Sequence, residues 1–279
     1  MPTLRTIIQA MQEADRTHTD AHVHAQAFVE RWQGVTASEL STAQSFVREL
    51  CDLLDVEVPH ATPEQNYMFE RPITFRHGDG SSSAGRIDCY RRGHFVLEAK
   101  KLKTASHTKG FDDALLLARS QAENYARALP SEEGRPPFLL VVDVGNVIEL
   151  YAEFTRSGAT YTPFPDPRSH RIALSSLLDA AVRERLKSIW TDPESLNPTR
   201  ASARVTRQVA TQLAELAKSL EQSGHRADHV AAFITRCLFS MFAEDVELLP
   251  KIDGQGGFIH LLQTHRKQPA TMQQMLRVL

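Results

Sequence analysis

Two acids and a lysine on neighbouring predicted strands are the residues of this sequence best suited to chemistry. Asp88 lies in the first strand, Glu98 and Lys100 lie in the second, and a tight turn at Arg92-Gly93 is predicted between them. Because side chains alternate between the two faces of a strand, Glu98 and Lys100 share one face with Val96. Two carboxylates and an ammonium group that converge there suit a hard divalent cation, which can activate water and neutralise phosphate charge. The spacing therefore predicts metal-dependent cleavage of phosphodiesters.

Each of these groups has an expected role. Asp88, Glu98 and the Ala99 carbonyl are predicted to bind one Mg²⁺ or Mn²⁺ ion. Lys100 is predicted to orient the attacking water or to stabilise the charge that develops on the phosphate. The alternative is that this common spacing arose by chance on an exposed strand, where charged side chains are ordinary.

A helix predicted over Phe111–Leu129 adds a third motif. It carries Gln121 and Tyr125 four residues apart, and therefore on one face. Taken in chain order, Gly85-x-x-Asp88, the Glu-x-Lys pair and this Gln-x-x-x-Tyr pair resemble the signature of the RecB-like branch of the PD-(D/E)xK nuclease superfamily. The resemblance implies that Gln121 acts in catalysis and that Tyr125 lies near the DNA backbone, both outside the core. Ordinary surface and core-edge positions on a helix are the alternative.

An upstream helix is predicted to begin at a capping box formed by Thr36-Ala37-Ser38-Glu39. The segment from Glu39 to Phe46 resembles the first helix of the nuclease region in Type IIL (MmeI-like) restriction–methylation enzymes. In that superfamily a glutamate from this helix can complete the metal cluster, so the resemblance makes Glu39 a candidate catalytic acid. Its role as the acid of the capping box is equally compatible with the sequence.

The predicted elements define the fold class. A strand interrupted by Pro72, the two strands of the candidate site, the following helix and two further strands make an α/β sandwich. The resemblance implies that this sandwich is of the restriction-endonuclease-like, PD-(D/E)xK type. Gly145-Asn146 is predicted to be the turn between the last two strands. We assign residues 1–165 to this nuclease-like domain and residues 166–279 to an all-helical connector.

The connector has its own resemblance. The run from Phe233 to Pro250 resembles the helical segment that precedes the methyltransferase domain in Type IIL and related adenine-specific DNA methyltransferases. The glycine-rich loop and the Asn-Pro-Pro-Tyr-type tetrapeptide of such a domain are not found in these residues. We therefore expect an N-terminal fragment or a split protein with no cofactor-binding residues, and S-adenosylmethionine only in a fuller-length protein.

Charge and composition constrain the class of partner. The net charge of −2 argues against a protein that coats nucleic acid along its length. Between Gly85 and Gly110, however, there are seven basic residues and two acids, a local excess that favours phosphate contact. A solvated basic loop is the alternative to DNA contact. Three cysteines without a Cys-x-x-Cys pair argue against disulfides and structural zinc. The predicted DNA-binding residues are Arg86, Arg91, Arg92, Lys101, Lys103 and Tyr125.

The sequence thus predicts the Mg²⁺-dependent DNA endonuclease region of a cytoplasmic restriction–modification or phage-defence protein. Its expected partners are double-stranded DNA and methyltransferase and target-recognition domains, in cis or in trans, with possible self-association and no membrane. Two alternatives stay open. One is a nuclease-fold module that no longer cuts and binds DNA or protein, and the other is a regulatory scaffold without enzymatic activity.

Overall fold

The computed structural model describes residues 20–35, 39–60, 66–102, 108–249, 251–252, 255–266 and 268. The side chains of residues 39–41 and 252–255 lie outside this description, as do Lys103 and the Thr36–Ser38 part of the capping box. The chain forms two compact units, Met1–Ala201 and Ser202–Leu279.

A mixed sheet of seven strands organises the first unit. Its order is β1-β2-β3-β4-β5-β6, and β7 also pairs with β5. Among the described strands of this sheet, β3 and β4 are the one parallel pair, and the other pairs are antiparallel. The strands are β1 (Tyr67–Arg76), β2 (Ser82–Arg91), β3 (Phe95–Lys100), β4 (Phe138–Asp143), β5 (Val147–Ala152), β6 (Thr162–Pro163) and β7 (Arg171–Ala173).

Sequence pattern explains the strand positions. β4 and β5 are buried at every residue, as expected for continuous apolar runs at the centre of a sheet with both faces covered. Pro72 lies in β1, whose only partner among the described strands is β2, and an edge strand tolerates a residue that cannot donate a backbone hydrogen bond. Gly145 takes the left-handed conformation (φ +86°) in the turn between β4 and β5, as predicted.

Helices cover both faces of this sheet. Residues 20–32 (α1), α2 (Glu39–Leu54) and α4 (Ala180–Thr191) enclose one core, and α3 (Lys109–Ala128) encloses the other. Thr108 caps α3 by accepting a hydrogen bond from the Phe111 backbone N–H. The predicted α/β class is confirmed: the protein has a mixed sheet flanked by helices, together with a helical C-terminal part.

The segment before the second unit packs on the sheet. Trp190 of α4 is fully buried, and its ring lies 4.5 Å from the ring of Phe95 in β3. Pro193 is buried in a 3₁₀ turn (Pro193–Leu196) that follows α4. The two compact units divide after Ala201.

The second unit is mainly helical. It contains most of α5 (Pro198–Gln222), then α6 (Ala227–Asp245) and α7 (Gly257–His265), with the short strands β8 (Lys251–Ile252) and β9 (Gln255–Gly256) between the last two. Val230 and Ala243 of α6 are buried, whereas Phe239 and Phe242 are exposed. No helix among the described residues is both long enough and apolar enough to cross a membrane.

Candidate active site

The hairpin formed by β2 and β3 places Asp88 beside the backbone of Ala99. Gly93 adopts a left-handed φ of +73° in the turn, and backbone pairing runs from Arg91–Phe95 to Cys89–Leu97. Pairing then stops, one residue short of Asp88. From that point the side chain of Asp88 replaces the backbone, because its Oδ2 accepts a hydrogen bond from the Ala99 N–H at 2.7 Å.

The same contact fixes the direction of the Ala99 carbonyl. In an antiparallel ladder the N–H and C=O of a given residue point to the same neighbouring strand. The Ala99 N–H points to Asp88, so the Ala99 carbonyl also points to the β2 side of β3. A carboxylate and a backbone carbonyl therefore lie at the position where β2 and β3 separate.

Glu98 and Lys100 lie on the face of β3 that meets α3, whereas the Ala99 side chain lies on the other face. Phe95, Leu97 and Ala99 belong to the α1/α2/α4 core, whereas Val96 belongs to the α3 core, as the alternation predicted. The Lys100 Nζ donates to Glu98 Oε1 at 2.7 Å, and the Glu98 side chain is only 1% exposed. The lysine thus neutralises a buried carboxylate.

The strand carrying Asp88 does not keep strict alternation. Ile87 packs in the α3 core while Cys89, two residues later, packs in the other core. The register of β1 with β2 is the same on both sides of this point, but Glu70 and Asp88 do not pair. Glu70 has φ +52°, a left-handed conformation unusual for a residue with a side chain. Asp88 therefore lies where β2 turns over, between Ile87 on one face of the sheet and Cys89 on the other.

A small cavity of about 180 Å³ opens where the strand turns over. Asp88, Glu70 and Ala99 line it from the sheet, and Ala43 and Gln44 line it from α2. Glu39 precedes Ala43 by one helical turn, so its position at the start of α2 is on the cavity side of the helix, although its side chain is outside the described part.

Cys89 also borders the cavity, but it is poorly suited to bind metal. Complete burial raises the pKa of its thiol well above the ordinary value, and the charges of Cys51 and Asp88 act in the same direction. The thiol therefore stays protonated at neutral pH. The available donors are hard oxygen atoms, the kind that Mg²⁺ and Mn²⁺ prefer. No group of three His, Cys, Asp or Glu side chains suited to metal occurs within the described ranges.

Gln121 and Tyr125 lie elsewhere. They line a separate cavity of about 1180 Å³ between α3 and the edge strand β1, while Asp88 lines the smaller one. Gln121 donates to the Tyr125 hydroxyl at 2.9 Å. Tyr125 is only 7% exposed, and its ring stacks on Phe75 with 5.6 Å between centroids. The expectation that Tyr125 stays outside the core is wrong, because Gly85 leaves room beneath its ring.

Several predicted DNA-binding residues have contacts within the fold. Arg91 pairs with Glu57 at 3.1 Å and its guanidinium lies over the Tyr67 ring, at the turn end of the hairpin. Arg92 donates to the Glu132 carbonyl, and Lys101 donates to the Val144 carbonyl. Arg86 differs because its side chain is 72% exposed. Its guanidinium lies 4.0 Å from the Glu70 carboxylate.

Sequence reasoning missed two acids near the site. Glu70 could not be identified from the sequence, because a left-handed backbone angle is usually indicated by a glycine and this position holds a glutamate. Asp143 ends β4 beside Lys100, is 1% exposed, and accepts hydrogen bonds from the Leu102 N–H and from the Asn146 side chain. A charged residue at the end of a fully apolar run was a signal that could have identified Asp143.

The fold and site together define an α/β domain in which an acid of β2 contacts the backbone of β3 and a buried carboxylate–lysine pair lies on the α3 face of β3. The family model described as "MmeI, N-terminal domain" matches residues 23–223, and the one described as "MmeI, helicase spacer domain" matches residues 228–279. The chain therefore belongs to the MmeI N-terminal domain family, and it corresponds to the N-terminal region of an MmeI-like Type IIL restriction–modification enzyme. No curated protein and no solved structure matches it significantly.

Proposed function

We propose that the first unit is a DNA endonuclease domain of the PD-(D/E)xK type that hydrolyses phosphodiester bonds with Mg²⁺ or Mn²⁺. The observation that carries this proposal is the 2.7 Å contact of Asp88 with the Ala99 N–H. It joins the acid of β2 to the backbone between Glu98 and Lys100, the two other members of the motif. Membership of a restriction–modification family supports DNA as the substrate.

The chemistry of the donors, all of them oxygen atoms, supports the proposed cation. Asp88, Glu98 and the Ala99 carbonyl would bind it, and Glu39 is a further candidate from the start of α2. When bound, the cation supplies an activated water and neutralises phosphate charge. Lys100 holds an ammonium group against Glu98, where it can orient the attacking water or stabilise the charge that develops on the phosphate. Gln121 would act from the separate cavity beside α3.

Metal-dependent nicking of supercoiled plasmid by the full chain tests this function. Wild-type protein should nick with Mg²⁺ or Mn²⁺ and be silent with EDTA, and Asp88→Asn should remove the activity. Asp166→Asn is the matched control, because Asp166 is an exposed loop acid that bonds Ser169 within its own turn. Equal activity in Asp88→Asn and wild type would refute the assignment. Calorimetric titration with Mn²⁺ should show binding that Asp88→Asn loses and Asp166→Asn keeps.

A module that binds DNA without cutting it is the second candidate. The direct contact between Lys100 and Glu98 favours it, because an ammonium group already neutralises the carboxylate that would hold the cation. This candidate predicts retention of duplex DNA by the full chain in gel-shift assays, no nicking with either cation, and no effect of Asp88→Asn on retention. Exposed Arg86 is the residue whose substitution by Ala should then weaken retention.

A further inference from the structure

We propose that Asp143 is a positioning residue for Lys100: its buried carboxylate fixes the chain where β3 ends and so sets the orientation of the proposed catalytic lysine. This inference rests on the function proposed above for Lys100. It assigns a role to a charged side chain that no sequence motif includes.

The contacts around the end of β3 carry the inference. Lys100 and Asp143 are register partners at the ends of two parallel strands. The Lys100 carbonyl accepts a hydrogen bond from the Val144 N–H at 2.9 Å. Two residues further, the Leu102 N–H donates to Asp143 Oδ1, also at 2.9 Å. The backbone is thus bonded at Lys100 and again just after it, and both bonds come from the end of β4.

The turn that provides these bonds is itself held firmly. Asn146 donates through its side chain to Asp143 Oδ2 at 2.6 Å, and its carbonyl accepts from the Leu174 N–H. A side chain at Gly145 would meet the Trp32 carbonyl oxygen at 2.5 Å, so this turn packs directly on the backbone at the end of α1. The turn after β4, the segment at Leu174 and the end of α1 together fix the position of Asp143.

Burying the Asp143 carboxylate costs free energy unless its hydrogen bonds replace the lost water. A carboxylate that is 1% exposed loses its hydration and must recover it through hydrogen bonds, as this one does. An apolar residue at the end of β4 would continue the apolar run and keep the Val144–Lys100 bond. The carboxylate adds the bonds from Asn146 and from Leu102, and the bond from Leu102 sets the direction of the chain after Lys100.

Two variants of the full chain test the proposal. Asp143→Asn removes the charge and places an amide group against the amide of Asn146. The exchanged pair Asp143→Asn/Asn146→Asp restores a donor opposite an acceptor. Glu153→Gln is the matched control, because Glu153 is also a buried carboxylate that holds a loop, but it follows β5 at the opposite end of the sheet from Asp143.

The first measurement is independent of cleavage. Trace acetylation of lysines, read by mass spectrometry as a function of pH with exposed Lys109 as internal reference, reports the reactivity of Lys100. Asp143→Asn should change the Lys100 reactivity at least about threefold, the exchanged pair should return it toward wild type, and Glu153→Gln should leave it unchanged. Unchanged Lys100 reactivity in folded Asp143→Asn would overturn the proposal.

The second measurement is single-turnover nicking with Mg²⁺ at saturating plasmid. Asp143→Asn should lower the rate at least about tenfold and alter its pH profile, with little change in the plasmid concentration that gives half the maximal rate. A folded variant with the wild-type rate and profile would overturn the positioning role. Absence of nicking in the wild type itself refutes the proposed function, while the acetylation result still decides whether Asp143 positions Lys100.

Discussion

Replacement of Lys100 by Met should destabilise the protein chiefly when no divalent cation is present. The substitution keeps an unbranched side chain of similar length but removes the ammonium group 2.7 Å from Glu98. Breaking a fully buried ion pair costs about 3–5 kcal/mol, since the remaining charge stays in a poorly solvated site. Glu98 is 1% exposed and Lys100 is 24% exposed, so water can partly replace the ammonium group. We therefore expect a loss of about 2–4 kcal/mol.

Thermal unfolding followed by circular dichroism measures this loss. For a unit of roughly 200 residues, each kcal/mol lowers Tm by about 2–4 °C, which gives a decrease of roughly 4–16 °C with EDTA. Titration with Mg²⁺ should narrow the difference between variant and wild type, because a cation bound by Glu98 and Asp88 can neutralise the carboxylate in place of the lysine.

The double variant Glu98→Gln/Lys100→Met isolates the ion pair. It should recover stability relative to Lys100→Met, because the charge that was left behind has also been removed. It should also lose the Mg²⁺ dependence. A Lys100→Met protein with the wild-type Tm in EDTA, or one whose Tm is insensitive to Mg²⁺ while wild type responds, would contradict this account of the site.

Three further outcomes are expected. Glu70→Gly should be more stable to urea than Glu70→Ala by about 1 kcal/mol, since glycine adopts the left-handed angle without strain; equal midpoints would show that the angle carries no strain. Gly85→Ala should lower the unfolding free energy by about 1–3 kcal/mol, because the added carbon would lie 2.9 Å from the Tyr125 ring, and unchanged urea denaturation would contradict the packing. Burial acts to raise the pKa of Glu153, but hydrogen bonds from Thr155 and neighbouring groups lower it below the usual 4.5. The stabilisation is therefore complete above pH 4.5 and is lost as pH falls through the lower folded value, so Glu153→Gln should flatten stability against pH in that acidic range, and an unchanged slope would exclude this role.

The central elements could be predicted from the sequence because their patterns are local. The apolar run of β4, the turn at Gly145 and the helical period of α3 each specify their own structure, and all are present. The alternation in β3 likewise gave the correct face for Glu98 and Lys100.

The remainder depends on tertiary contacts that no local pattern records. The turnover of β2 at Asp88 requires a positive φ at Glu70, a residue type that rarely takes one. Burial of Tyr125 depends on Gly85 from a different strand. Packing of Trp190 on Phe95 likewise joins α4 to a strand distant in the sequence.

The hydrogen bond from the Ala99 N–H to Asp88 makes the protection of one amide proton of the sheet depend on a side chain. Neighbouring amides in β3 are held by strand pairing, but this one is held by an ionisable side chain. Withdrawal of Asp88 toward a ligand would leave the Ala99 N–H without this acceptor while the backbone pairing of β3 stays in place. The rate of hydrogen–deuterium exchange at the Ala99 amide therefore reports whether Asp88 holds this amide or a ligand, even when no reaction takes place.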